Sequence, residues 1–210
     1  MKPEKREERQ NRLLEAAAEV FSEKGYGAAT IADVARRANM GKGTVYGYFK
    51  SKDDLFLDLF RWYNSKMENN IRPEAGALGR SARARLLALG DAVMDTVFSM
   101  MEGYTLSLEF WAATASSSYR KEFREAFRAA YGKFRSLVTD ILRSGIALGE
   151  FRADTAVENL AVGIVAVWDA TGIQFWVDKK VNPKKAARSS LEAILNGITV
   201  NRQGMTAEKQ

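Results

Sequence analysis

Hydroxyl and ammonium side chains recur at short intervals near the N-terminus, in the segment that spans residues 30–52. Side chains of these types contact DNA phosphates, as do the free N–H groups at helix N-termini. The candidate phosphate ligands are Thr30, Lys42, Thr44, Tyr48 and Lys52. Five basic residues and no acidic residue lie between Arg36 and Lys52, and this one-signed patch favours a polyanionic partner.

The apolar residues of this segment predict two short helices joined by a tight turn. Thr30 is a suitable N-cap for the first helix, whose apolar residues recur at helical spacing on one face. Residues 39–41 form the turn. Val45 and Phe49 lie four residues apart and can anchor the second helix to a core. Its N-terminal and outward faces then remain available, and a helix held in this way can enter a major groove.

A third helix is predicted to begin directly after this pair. Ser51 is a good N-cap, and Asp54 stands where a capping-box partner belongs. This arrangement would fix Lys52 beside the free backbone N–H groups of the first turn. Leu55, Leu59 and Trp62 give the helix its apolar face.

Two other interpretations of the segment are open. A run of Arg and Lys on short helices can be no more than a solvated surface, and the charges alone do not decide the matter. A nucleotide-binding loop is suggested by Gly41-Lys42-Gly43-Thr44. The phosphate-loop pattern, however, needs Ser or Thr directly after the lysine and glycine at the position of Arg36, so the match fails twice.

The composition argues against most enzymes. The chain has no cysteine and no histidine, which removes thiolate and imidazole nucleophiles and the commonest zinc ligands. Glu102, Glu109 and Asp169 could supply acid–base carboxylates, but no paired spacing supports that role. We therefore expect no catalytic residues, no metal site and no cofactor. A nonspecific architectural DNA binder stays open as an alternative, although the long C-terminal part of the chain argues against it.

The periodicity predicts an all-α protein of two domains. The 210 residues contain three prolines and no convincing strand pattern. Helices are predicted at 5–24, where Gly25 and Gly27 end the first, and at 81–101, 104–116, 119–148, 155–178 and 183–201. A break near 71–79 separates a small domain (1–65, helix-turn-helix 30–49) from a larger helical domain (66–210). The apolar run at 160–168 is too short to span a bilayer, and the charged N-terminus lacks a signal peptide, so we expect a cytoplasmic protein without membrane contact.

Residues 30–55, which end in the phrase GKGTVYGYFKSKDDL, resemble the DNA-binding domain of the TetR family of repressors. The resemblance implies phosphate contacts by Thr30, Thr44, Tyr48 and Lys52. It implies groove-facing positions at Lys42, Gly43, Tyr46 and Gly47. Beyond this domain the chain resembles the family in length, helix content and the phrase SGIALGEFRAD at 144–154.

Two places depart from the family pattern. Asn39-Met40-Gly41 stands where glycine, an aliphatic residue and a small polar residue are more usual. Gly47 stands where a larger polar or aromatic residue is common, and it has no side chain to reach a base edge. In a helix it also costs about 1 kcal/mol relative to alanine.

The resemblance also assigns two tasks to the larger domain. With them, the chain would be a repressor that a small-molecule effector releases from double-stranded operator DNA. The first task is homodimerisation through the last two long helices, with ordinary intrachain packing as the alternative. The second is an effector pocket, with aromatic core packing as the alternative. The dimer candidates are Leu160, Ile164, Trp168, Leu191, Ile194, Leu195 and Ile198. The effector candidates are Tyr104, Glu109, Phe110, Trp111, Trp168 and Phe175.

Overall fold

The computed structural model describes residues 3–75, 81–99 and 104–200. Within these ranges the regular secondary structure is α-helical, as the periodicity predicted, and one isolated β-bridge joins Phe151 and Thr199. The helices are α1 (Pro3–Ala28), α2 (Ile31–Arg37), α3 (Lys42–Tyr46), α4 (Lys52–Ala75), α5 (Ala82–Ser99), α6 (Tyr104–Ser116), α7 (Arg120–Ala147), α8 (Val157–Val177) and α9 (Pro183–Ile198). Helix α4 continues to Ala75, past the start of the predicted break at residue 71. Gly76, Gly79 and Glu102 lie outside the described residues.

The chain forms two compact units. The first unit combines Met1–Glu68 with Ser99–Ala130, and the second combines Asn69–Phe98 with Tyr131–Gln210. The predicted domain division at residue 65 lies close to the end of the first segment. The sequence pattern gave no sign that Ser99–Ala130 packs with that segment, because side-chain periodicity reports a buried face without its partner.

Aromatic rings form the centre of the first unit. The ring of Phe56 lies 5.1 Å from that of Phe21, 4.6 Å from that of Phe110 and 5.7 Å from that of Phe123. These four side chains are buried. Because the rings come from α1, α4, α6 and α7, their burial fixes the start of α4 against α1 and α6.

Helix α1 changes direction at Gly25, which has φ 73° and ψ 158°. Glycine adopts this left-handed conformation without the steric penalty of a Cβ. A Cβ built at Gly25 would also lie 3.2 Å from Oε1 of Glu109, and this oxygen accepts a hydrogen bond from the N–H of Tyr26 at 3.2 Å. The first helix was predicted to end at Gly25 and Gly27; it changes direction at Gly25 instead, and one further turn runs past Gly27 to Ala28.

A close approach holds the end of α7 in the second unit. A Cβ at Gly145 would lie 2.3 Å from the ring of Phe151 and 2.8 Å from the Cβ of Ala82, so only glycine fits. Gly149, with φ 69°, then ends the turn after α7. The Glu150 carboxylate accepts hydrogen bonds from backbone N–H groups in the first turn of α5, at 3.0 and 3.3 Å.

Helix α8 has two contrasting faces. Seven of its residues are buried in the second unit: Val157, Ala161, Ile164, Val165, Trp168, Thr171 and Gly172. The opposite face is exposed and consists mainly of apolar and small residues. By length and composition this helix could cross a membrane, a test that core helices also pass. The nine-residue apolar run noted in the sequence is therefore part of a 21-residue helix.

Candidate nucleic-acid interface

The first helix of the predicted pair is fixed by a capping box at Thr30. The Thr30 hydroxyl accepts a hydrogen bond from the N–H of Asp33 at 3.2 Å, and the Asp33 carboxylate accepts one from the N–H of Thr30 at 3.1 Å. Hydrogen bonds from Lys24 and from the Thr30 hydroxyl hold the pKa of Asp33 well below its ordinary value. Thr30 stays exposed, so a partner can reach it at the N-terminus of α2.

The turn between α2 and α3 lies at the predicted residues. Asn39 has φ 54°, a left-handed conformation that asparagine tolerates better than most residues. The N–H of Met40 donates to the carbonyl of Ala35 at 2.9 Å. The guanidinium of Arg12 donates to the carbonyl of Ala38 at 3.2 Å, which ties the end of α2 to α1.

Helix α3 buries one face and presents the other. Val45 on α3 and Phe49 just after it are buried, as predicted, although the helix ends at Tyr46 and does not include Phe49. Lys42, Gly43 and Tyr46 are exposed, and the Tyr46 side chain is 50% accessible. The Lys42 ammonium lies 5.9 Å from the centre of the Tyr46 ring. The outward face of α3 therefore presents the Lys42 ammonium beside the Tyr46 ring and contains no acidic residue.

The two glycines of this face differ in their surroundings. A Cβ at Gly43 would meet no atom within 4 Å, whereas one at Gly47 would lie 3.2 Å from the carbonyl oxygen of Thr44. Gly47 is the C-cap of α3, and its N–H donates to carbonyls of the preceding turn. Gly47 thus closes the helix, and side-chain contacts on this face fall to Lys42, Thr44 and Tyr46.

Tyr48 lies just beyond α3 with an unsatisfied hydroxyl. Its Oη is buried and has no hydrogen-bond partner among the described residues. The guanidinium carbon of Arg6 lies 5.1 Å from the centre of the Tyr48 ring. A buried hydroxyl without a partner costs about 1–3 kcal/mol, and an acceptor brought by a ligand would remove that cost.

The predicted N-cap of α4 is present at Ser51. The N–H of Asp54 donates to the Ser51 hydroxyl at 3.0 Å, and the Asp54 carboxylate accepts from the N–H of Lys50 at 2.8 Å. In the predicted capping box, the Asp54 carboxylate would accept from the N–H of Ser51. It accepts instead from the N–H of Lys50, the residue before the cap.

Lys52 is turned toward the end of α1. Its ammonium donates to the carbonyls of Tyr26 at 2.8 Å, Ala29 at 3.0 Å and Gly27 at 3.4 Å. It also lies 4.4 Å from the centre of the Tyr26 ring. These carbonyls use all three ammonium hydrogens. In this arrangement Lys52 holds α4 to α1, and a phosphate contact would require the ammonium to leave them.

A hydroxyl–carboxylate cluster beside Lys52 was missed in the sequence. The Asp53 carboxylate accepts hydrogen bonds from the hydroxyls of Tyr26 and Ser118, the latter at 2.5 Å, and from Ser117 at 3.4 Å. Partial burial opposes ionisation, but hydrogen bonds from Ser118, Tyr26 and Ser117 outweigh it and lower the pKa of Asp53. Burial, and then the Asp53 carboxylate, raise the pKa of Tyr26. The cluster joins α4 to the turn between α6 and α7, more than 60 residues away, so no local pattern could have revealed it.

The candidate effector residues fall into both units. In the first unit, Phe110 belongs to the aromatic core, Glu109 accepts from Tyr26, and Trp111 is 47% exposed. Tyr104 begins α6, and its side chain lies outside the described part of the structure. In the second unit, the indole N–H of Trp168 is buried without a partner among the described residues. Phe175 is half-buried, with the Lys179 ammonium 4.3 Å from its ring centre.

Most candidate dimer residues are packed inside the chain itself. Five of them are buried in the core of the second unit: Ile164, Trp168, Leu191, Leu195 and Ile198. Leu160 and Ile194 are partly buried against the same core. These five side chains pack within their own chain and leave little surface for a partner, as the intrachain alternative expects.

The described carboxylates offer no catalytic or metal-binding cluster. The Asp169 carboxylate accepts from the Tyr131 hydroxyl at 2.7 Å. Across the residues that the structure describes, no group of three or more metal-ligating side chains is placed to hold an ion.

Comparison with known proteins identifies the fold and the helix pair. Residues 13–59 match the pattern described as bacterial regulatory proteins of the tetR family. Residues 82–200, more than half of the chain, match the pattern of the C-terminal part of BetI-type transcriptional repressors. The chain belongs to the TetR family. This TetR-family protein is a DNA-binding transcriptional regulator.

Two curated relatives cover nearly the whole chain. The fatty acid metabolism regulator protein of Bacillus subtilis is 28% identical over 193 residues, which are 89% of this chain and 93% of that protein. The transcriptional activator FasR of Mycolicibacterium smegmatis is 27% identical over 198 residues, 92% of this chain and 84% of that protein.

Solved structures show the same TetR fold. A TetR transcription regulator from Haloarcula marismortui has a TM-score of 0.82 at 18% identity and covers 92% of this chain and 100% of its own. A transcriptional regulator from Saccharomonospora viridis, solved in complex with choline, has a TM-score of 0.79 at 23% identity and covers 93% and 100% of the two chains.

Proposed function

We propose that the chain is a cytoplasmic homodimeric repressor that reads an operator through α3 and is released by a small-molecule effector. The observation that carries the proposal is the outward face of α3, where Lys42 and Tyr46 are exposed while Val45 anchors the helix to the core. A recognition helix needs this combination of a rigid buried side and free side chains that can reach base edges.

The proposed contacts divide into two groups. Thr30, Thr44 and Tyr48 bind phosphates, since two of them lie at the N-terminal ends of α2 and α3 and the third carries an unpartnered hydroxyl. Lys42 and Tyr46 reach base edges, while Gly43 and Gly47 allow the backbone to approach the groove closely. We assign Lys52 to the positioning of α4 rather than to direct phosphate contact.

The two groups are distinguished by mutation. Replacement of Tyr46 with Ala should lower affinity for the operator more than for random DNA, because a base contact contributes about 1–3 kcal/mol of discrimination. Replacement of Thr44 with Val should weaken both to a similar extent, because a phosphate contact carries no sequence information. Fluorescence anisotropy with a duplex from the protein's own promoter region and with a scrambled duplex measures both. Equal losses for Tyr46→Ala on the two duplexes would contradict the base-reading role.

Dimerisation is proposed through the exposed face of α8. Small and apolar residues occupy one arc of this helix: Val162, Gly163, Ala166, Ala170, Ile173 and Val177. Val162 is 49% and Ile173 44% accessible. Helix α9 packs against α8 and has exposed small residues of its own. Two α8–α9 pairs can form a four-helix interface, and two-fold pairing presents two recognition helices to two half-sites.

Sedimentation equilibrium at micromolar concentration tests the interface. We expect the wild type to be a dimer and Ile173→Asp to be a monomer, because a buried unpaired carboxylate is costly. Ala129→Asp places the same charge on an exposed position of α7 and should remain dimeric. A monomeric wild type would contradict the homodimer proposal.

The effector is proposed to be an apolar molecule that carries a hydrogen-bond acceptor and binds in the second unit at Trp168. The buried indole N–H has no acceptor among the residues that the structure describes, and the hydroxyl of Thr171, on the same helix, lies 3.7 Å from the Met94 sulfur. Relatives named for fatty acid metabolism and a neighbour bound to choline suggest the two probes. We expect palmitate, which has a carboxyl acceptor on a long acyl chain, to release the operator. Choline is a cation without an acyl chain, and burial of its charge at an apolar site is costly, so it should not release the operator.

Trp168→Phe keeps an aromatic ring in the core and removes the N–H donor together with part of the indole ring. It should weaken release by palmitate while the variant still binds the operator. Release by choline alone, or release that is unchanged in Trp168→Phe, would contradict this assignment of the effector class.

A further inference from the structure

The first turns of α1 carry a segregated charge pattern. With 3.6 residues per turn, Lys5, Arg6, Arg9 and Arg12 fall within an arc of roughly 120° on the helix circumference. Glu4, Glu7 and Glu8 fall on the opposite side. A random mixture of charges would serve solubility equally well, so the separation favours a directed anionic partner.

Two contacts fix the direction of the basic arc. Arg12 donates to the carbonyl of Ala38 at 3.2 Å, at the turn before α3, and Arg6 lies over the ring of Tyr48, just after α3. The basic side of α1 therefore faces the turn and the end of the recognition helix, and its acidic side faces away. The basic arc continues the patch of α2 and α3, whose residues from Arg36 to Lys52 include no acidic residue.

Arg6 is available to a ligand. It is exposed and forms no ion pair with any of the described residues, and Lys5 is exposed in the same way. The Tyr48 hydroxyl beneath the Arg6 side chain has no acceptor within the described chain. A phosphate group can accept hydrogen bonds from a guanidinium and a phenol together, and guanidinium–phosphate bonds are among the strong, charge-assisted class.

We propose that the first turns of α1 form a second DNA-contacting surface, which binds the sugar–phosphate backbone through Lys5, Arg6 and Arg9 beside the groove that α3 enters. Arg6 and Tyr48 share one phosphate. The surface adds affinity without sequence discrimination, since its donors are long cations suited to phosphate oxygens. The inference rests on the proposed entry of α3 into the groove, because that entry brings the backbone to α1.

The salt dependence of DNA binding tests the proposal. Each phosphate contact adds about −0.9 to the slope of log K against log salt. The double variant Lys5→Gln/Arg6→Gln should therefore reduce the slope by about 1.8 for each bound protomer. If the affinities converge at 1 M salt, this corresponds to binding about 30-fold weaker for each protomer at 0.15 M. Operator and scrambled duplexes should lose affinity by the same factor.

Matched variants separate a DNA contact from a structural role. Lys121→Gln removes a cation from an exposed position on α7, and Glu7→Gln changes the opposite face of α1; both should leave the slope at its wild-type value, apart from a small long-range effect. Arg6→Lys keeps the charge and should restore most of the slope. A double variant with a wild-type slope and unchanged affinity, while the wild type still selects its operator, would overturn the inference and leave the proposed function standing. A wild type without operator selectivity would overturn both.

Discussion

Replacement of Lys52 with Met should destabilise the first unit because it removes an ammonium that caps α1. The ammonium donates to three carbonyls, of which Tyr26 at 2.8 Å and Ala29 at 3.0 Å are the closest. Hydrogen bonds to charged groups contribute about 1.5–3 kcal/mol each. Bonds that share one donor do not add in full, and the side chain is only half-buried, so we expect the free energy of unfolding to fall by about 2 kcal/mol.

Thermal unfolding monitored by circular dichroism measures this loss. A change of 1 kcal/mol shifts the melting temperature by about 2–4 °C in a chain of this length, so Lys52→Met should melt about 4–8 °C lower. Lys50→Met is the matched control. It removes an exposed cation of the same patch and leaves its backbone N–H to donate to Asp54, so its melting temperature should stay close to that of the wild type.

DNA binding by the same two variants decides between the two roles of Lys52. If the ammonium stays on the α1 carbonyls, Lys52→Met changes the salt slope by much less than one phosphate contact. A variant that melts with the wild type and loses about 0.9 from the slope would refute the capping argument. Lys52 would then be a phosphate ligand, as the family resemblance implies.

Three further predictions concern single residues. Tyr48→Phe should leave the melting temperature unchanged or raised, since the lost hydroxyl is buried and has no partner among the described residues. Operator affinity should fall by about 10-fold, the value of one charge-assisted hydrogen bond. A less stable variant would show that the hydroxyl is satisfied within the fold. Asp53→Asn should be less stable than the wild type at pH 7 and should approach it as the pH falls. The pKa of Asp53 is lowered in the folded state, so its contribution is complete above the ordinary aspartate pKa of about 3.9 and disappears as the pH falls through the folded value. A difference in guanidinium unfolding that is constant from pH 7 to pH 3 would contradict this. Gly145→Ala should destabilise by about 1–3 kcal/mol or more, since its Cβ would collide with Phe151. Gly132→Ala, in open space on the same helix, should be neutral or stabilising, and equal effects at the two glycines would refute the close-approach argument.

Local sequence rules predicted the helix pair well because its determinants lie within a few residues of each other. The cap at Thr30, the turn at residues 39–41 and the buried pair Val45 and Phe49 all depend on short spacings. The bounds of most helices in the larger domain were also predicted to within a few residues. In each of these cases the sequence signal lies within one element or between two consecutive elements.

The rest depends on contacts between distant parts of the chain. Lys52 was assigned to phosphate from its type and its position after Ser51, but its acceptors are more than 20 residues earlier in the chain, at the end of α1. The Asp53 cluster joins residues separated by more than 60 positions. For α8, the sequence identified an apolar helix without distinguishing its buried side, which contains Trp168, from its exposed side, which contains Ile173.

Selection of binding sites from a random duplex library tests the central claim most directly. The wild-type protein should enrich a two-fold symmetric sequence. Its half-sites should be separated by about 10–10.5 base pairs, which is one helical turn of DNA, or by a multiple of that distance. Tyr46→Ala should bind the library but lose the enriched bases. A wild type that binds DNA without enriching any sequence, or a Tyr46→Ala variant that enriches the same sequence, would contradict the account of α3 as the reading helix.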